Sequence, residues 1–150
     1  MVHPRLGEFR CHRAVLPAIE GALDELERLG LADEIDPMDF QAAGGCYNAR
    51  LARGGDLDRG FALSRHSWGV AIDFNPSTNG FGVEPSLSED FGQVFRDWGF
   101  AWGAGWRVPD PMHFEWHGDP DDPARSGCLG RLASTLPFRD FGQVPPGCLP

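Results

Sequence analysis

The chain has 150 residues, with 22 acidic against 13 basic side chains, a formal charge of −9 and 41% hydrophobic residues. That length suits one domain with its own core; no apolar run is long enough to cross a membrane, and the acidity argues against nucleic acid or anionic lipid as a partner. The basic residues are all arginine, which reads as codon bias of a GC-rich source and not as function.

In chain order, Leu16, Ile19, Leu23 and Leu26 recur at three- and four-residue steps and predict an amphipathic helix over 13–29, stopped by Gly30. Residues 39–43 read as a short strand before the Gly44-Gly45 pair, and 51–63, with Gly54, Gly55 and Gly60, as a loop arching over the site. The small, β-branched and apolar mix of 69–74 reads as a buried strand. Ser86 and Glu89 have capping-box spacing, and Phe91, Val94, Phe95 and Trp98 give the next helix its apolar stripe before Gly99 ends it. Strands are expected around 100–102 and 112–117. This order is α+β, a small antiparallel sheet with flanking helices. Residues 1–118 form the predicted main domain. The stretch 119–150 is a tail with a turn over 119–123 and a short helix over 129–136, packed on the same domain or starting a linker.

Two stretches carry the chemistry: Ser64-Arg65-His66-Ser67-Trp68-Gly69-Val70-Ala71-Ile72-Asp73 and Asp110-Pro111-Met112-His113-Phe114-Glu115-Trp116-His117. A hydrolytic zinc centre needs three nitrogen or carboxylate ligands, an open position for water, and a carboxylate to take the water's proton. His66, Asp73 and His113 can supply the ligands and Asp110 the base. A carboxylate carried into the interior on a buried strand is costly unless something offsets its charge, and a metal does so. Period-two alternation puts His113, Glu115 and His117 on one strand face and Phe114 and Trp116 on the other. Glu115 then either orients a ligand imidazole or competes with Asp110 as base, and His117 is either a ligand or a supporting group. His3 and His12, without matching neighbours, read as ordinary surface or hydrogen-bonded histidines.

The strings SRHSWGVAIDFN, GFAWGAGW and DPMHFEW resemble the M15 family of zinc peptidases, the D-alanyl-D-alanine carboxypeptidase and L-alanyl-D-glutamate endopeptidase group that cuts peptidoglycan stem peptides, in particular its VanY-type and phage-endolysin branches. The likeness covers roughly 11–116. It implies Zn2+ as cofactor on His66, Asp73 and His113, Asp110 as catalytic acid and base, and the fold shared with the Hedgehog signalling domain. Arg50 stands where such proteins carry a substrate-facing arginine; its guanidinium suits a substrate carboxylate or oxyanion, while the plain alternative is a solvated surface residue. Ser64 either donates to the substrate backbone or caps a turn, and Tyr47 is a weaker candidate for the same pocket. The implied partner is a peptidoglycan stem peptide met by a monomer at the bacterial cell wall. No signal peptide is visible, so the chain is exported by another route or is part of an exported protein. Related sequences often carry cysteines at positions 11 and 46, which implies a Cys11–Cys46 bridge and leaves Cys128 and Cys148 to pair in the tail; four reduced thiols are the alternative. A metal-stabilised, non-catalytic wall-binding or structural module of the same fold is the alternative function.

Overall fold

A computed structural model describes residues 1–52 and 63–117. The expected tail turn, tail helix and Cys128–Cys148 pair lie outside the described residues, as does most of the 51–63 loop.

The chain opens with a hairpin that the periodicity did not signal, β1 (Val2–His3) against β2 (Gly7–Glu8). Helix α1 (Leu16–Leu29) buries Ile19, Ala22, Leu23 and Leu26 and ends at Gly30 in the left-handed conformation, as its spacing predicts. It begins three residues later than expected. Pro17 explains the difference, because it is tolerated in a first turn and would cost an amide hydrogen bond deeper in a helix.

Residues 39–43 are not a strand. They belong to α2 (Pro37–Ala43), where Asp36 Oδ1 accepts from the amides of Met38 (2.9 Å) and Asp39 (3.1 Å). An aspartate cap followed by proline at the first helical position is a start signal that outweighs a short run of mixed polarity. The helix buries Phe40, whose ring contacts Phe9 and Phe74.

Strand β3 (Ala71–Asp73) comes after a 3₁₀ turn (Arg65–Trp68) closed by Gly69 in the left-handed region. Helix α3 (Glu89–Asp97) is capped by Ser88, whose Oγ accepts from the Phe91 amide; the Ser86–Glu89 box is therefore displaced by two residues. Ser86 instead accepts from the Asn79 side chain (2.8 Å) and serves the preceding loop. Strands β4 (Phe100–Trp102) and β5 (His113–Trp116) complete an antiparallel sheet of order β3-β5-β4, so the last strand in sequence is central in space. The described architecture is α+β, as expected.

Phe74, Phe91, Phe95 and Phe114 are fully buried and pack ring on ring beneath the sheet, with Phe95 and Phe114 centroids 4.6 Å apart. Trp102 stacks nearly parallel on Phe114. A core this aromatic buries much area per residue, worth about 2–3 kcal/mol for each large apolar side chain removed from water. Cys11 and Cys46 form a disulfide across a sequence separation of 35 residues. In the chain-entropy view such a crosslink is worth about 4 kcal/mol. The bridge implied by the resemblance is present.

Candidate metal centre

Strand register builds the site. Asp73 ends β3, His113 begins β5, and the two are direct partners in the antiparallel ladder. The core takes Phe114, so alternation turns His113 and Glu115 to the opposite face. His66 arrives on the 3₁₀ turn before β3. All three side chains are buried: His66 is 2% exposed, His113 6% and Asp73 7%.

Their donor atoms converge. Asp73 Oδ1 lies 3.0 Å from His66 Nε2 and 2.9 Å from His113 Nδ1, and the two nitrogens are 3.1 Å apart. The remaining ring nitrogens have partners of their own. His66 Nδ1 donates to the Cys46 carbonyl (2.6 Å), and His113 Nε2 faces Glu115 Oε2 (3.3 Å). With those protons placed outward, Nε2 of His66 and Nδ1 of His113 present lone pairs beside a carboxylate oxygen, a donor set that can hold a metal ion.

Charge balance agrees. Burial raises the Asp73 pKa, but hydrogen bonds from His113 and His66 outweigh it and hold the carboxyl well below its usual range. Burial lowers that of His113, yet bonds to Asp73 and Glu115 push it up to about 9. Glu115 is likewise kept below the carboxylate range, burial being overcome by His113, His117 and Arg65. Without metal, therefore, a proton on His113 offsets the Asp73 charge, and a divalent cation would take that proton's place.

Asp110 is buried, 8% exposed, in the turn leading into β5. Its amide donates to the Gly103 carbonyl (2.9 Å), and its own carbonyl accepts from the His113 amide (3.0 Å). Gly103 is required here, because a Cβ would stand 2.5 Å from the Asp110 carbonyl oxygen. Arg50 reaches the site's edge, Nη2 3.8 Å from Asp73 Oδ2, while its main chain is pinned by Ser67 Oγ and the Ser64 amide. Ser64 is buried, and its Oγ accepts from the His66 amide at 3.3 Å, so it caps the turn that carries His66. The exposed Tyr47 is tied by its main chain to Arg10 (2.8 Å).

Of the two open residues, Glu115 bridges His113 to Arg65 (2.9 Å) and His117 (2.8 Å), and so steadies the His113 ring; His117 lies outside the converging trio. Sequence reasoning missed Arg65, the Cys46 carbonyl and Trp106, whose ring packs 5.4 Å from that of His113. Only Arg65 left a signal, an arginine beside one ligand and opposite in charge to Glu115.

Residues 58–116 match the family model described as D-alanyl-D-alanine carboxypeptidase. No curated protein and no solved structure matches the chain.

Proposed function

We propose that the chain, whose residues 58–116 match the D-alanyl-D-alanine carboxypeptidase family model, is an M15-type, zinc-dependent peptidase hydrolysing stem peptides of bacterial peptidoglycan, as a D-Ala-D-Ala carboxypeptidase or an L-Ala-D-Glu endopeptidase acting at the cell wall. One observation carries this reading: His66 Nε2, Asp73 Oδ1 and His113 Nδ1 converge in a buried space, with the buried Asp110 in the turn just ahead of His113.

His66, Asp73 and His113 would hold the ion, and zinc when bound supplies a Lewis acid for the scissile carbonyl and a lowered pKa for water. Asp110 takes the proton from the attacking water and returns one to the leaving amine. Arg50, fixed by its main chain beside Asp73, offers a guanidinium to the substrate's terminal carboxylate or to the oxyanion that develops during attack. Ser64 keeps the His66 turn in place. Glu115 holds the His113 ring so that Nδ1 and not Nε2 faces Asp73.

The test is mass spectrometry of purified muropeptides digested with zinc-loaded protein, run beside Asp110→Ala. Loss of a terminal D-alanine that the variant cannot produce identifies a carboxypeptidase; a cut after L-alanine identifies an endopeptidase. No cleavage by either protein overturns the proposal in favour of a non-catalytic, metal-stabilised module.

A further inference from the structure

Residues 45–48 hold two of the three converging side chains through main-chain groups alone. Gly45 exchanges both amide–carbonyl bonds with Asp73 (3.0 and 2.9 Å), the Cys46 carbonyl accepts from His66 Nδ1, and the Asn48 amide donates to the His66 carbonyl (3.0 Å). The other side of this segment is tied to residues 10–12. The Tyr47 amide donates to the Arg10 carbonyl, the disulfide joins Cys46 to Cys11, and the His12 amide donates to the Gly69 carbonyl (2.8 Å), one residue past the turn bearing His66. The segment lies outside any helix or strand, and Gly45 ahead of Cys46 sits at φ +96°, a hinge-prone conformation.

We propose that the Cys11–Cys46 disulfide is a positioning device for the metal ligands, so that the site takes a divalent cation tightly only in the oxidised protein. The inference rests on the metal-site reading above and adds a condition to it. A neutral imidazole carries its single proton on either nitrogen, and only the Nδ1–H form leaves Nε2 open to a cation. Two acceptors compete for that proton, Asp73 Oδ1 at 3.0 Å from Nε2 and the Cys46 carbonyl at 2.6 Å from Nδ1; the carbonyl favours the form open to a cation, and the crosslink fixes the carbonyl. When the bridge opens, Cys46 keeps its core packing and hydrogen bonds but loses its covalent tie to residue 11, so its carbonyl can shift and His66 samples both tautomers. Reduction by a water-soluble phosphine is balanced: the S–S bond breaks, phosphorus takes the oxygen of one water as phosphine oxide, and the two protons go to the two sulfurs. The consequence is a hydrolase inert in a reducing compartment and competent once it reaches an oxidising one.

The experiment measures zinc affinity by competition with a chromogenic chelator for three proteins: oxidised, phosphine-reduced with the reagent removed under nitrogen, and Cys11→Ala/Cys46→Ala. The double variant guards against new thiols acting as ligands, and the reduced wild type guards against failure of the variant to fold. Leu23→Ala, a core truncation in α1, controls for general loss of stability. Long-range ¹H–¹⁵N spectra of the metal-free protein report the His66 tautomer independently of zinc. The expected result is at least a tenfold loss of affinity in the reduced and double-alanine proteins with far-ultraviolet circular dichroism unchanged, a mixed His66 tautomer in both, and oxidised-level affinity in Leu23→Ala. Equal affinity in oxidised and reduced protein with a fixed tautomer overturns the proposal, and so does a parallel loss in Leu23→Ala. Failure of the oxidised protein to take zinc at all overturns the metal reading itself, whatever the tautomer shows.

Discussion

Nδ1 of His113 lies 2.9 Å from Oδ1 of Asp73, and the two residues face each other as partners in the β3–β5 ladder. The meeting of these side chains is thus a property of strand register. A slip of one residue would turn either one into the aromatic core and bring Phe114 or Ile72 to the site.

Asp110→Ala should lower kcat by about 10²–10⁴-fold, the range for loss of a general acid or base, while the protein still binds one zinc. Steady-state kinetics and metal analysis of the same preparation check this. Unchanged kcat would move the proton-transfer role to another carboxylate, with Glu115 the alternative.

Glu115→Gln should weaken zinc binding by about 10–100-fold, because the partner that orients the His113 ring loses its charge. Chelator competition gives the number. Affinity equal to wild type would remove Glu115 from any role in holding the ligand.

Gly103→Ala separates the proposed base from the proposed ligands. The added methyl would lie 2.5 Å from the Asp110 carbonyl oxygen and 3.2 Å from its Cβ, and the backbone atom has little freedom to yield. The expected outcome is a fall in kcat of about tenfold or more, the cost of misplacing a catalytic group by a fraction of an ångström, with zinc affinity close to wild type. Wild-type kcat would show that Asp110 is not held by this contact.

Stability of the metal-free protein should depend on pH in a way that zinc reverses. His113 rises from 6.5 to about 9 on folding, so its contribution is complete below 6.5 and lost as pH climbs through 9, a loss of about 3 kcal/mol. Asp73 and Glu115 are depressed from 3.8 and 4.5, so theirs is complete above those values and lost as pH falls. Thermal scans without metal should therefore peak between about pH 5 and 6.5. Zinc-loaded protein, whose ligands carry no proton to lose, should keep its midpoint through pH 9. A metal-free midpoint still rising from pH 7 to 9 would contradict the His113 assignment.

The chemistry-bearing part of the molecule was legible because it depends on local spacing. Alternation along 113–117 separated Phe114 and Trp116 from His113 and Glu115, and Asp73 on a buried strand asked for a compensating charge. Helix α1 could be read from its leucine spacing and its terminal glycine. Residues 39–43 misled because a seven-residue helix is too short to show a period, and its start signal, Asp36-Pro37, lay just outside the stretch considered. The displaced cap of α3 has a similar cause, since Ser86 and Ser88 are both competent caps and the loop hydrogen bonds of Ser86 decide between them. The partner of Glu115, Arg65, and the Cys46 carbonyl depend on pairings across 50 and 20 residues, which no local pattern announces.

The stretch 58–116 contains every proposed ligand and the proposed base, yet the carbonyl that orients His66 comes from residue 46, the ring that stacks on Phe74 from residue 40, and the carboxylate that receives the Trp98 indole from residue 25. A gene fragment trimmed to that stretch would encode the reactive groups without the frame that aims them. Transplanting this centre onto another scaffold therefore calls for the first fifty residues to travel with it.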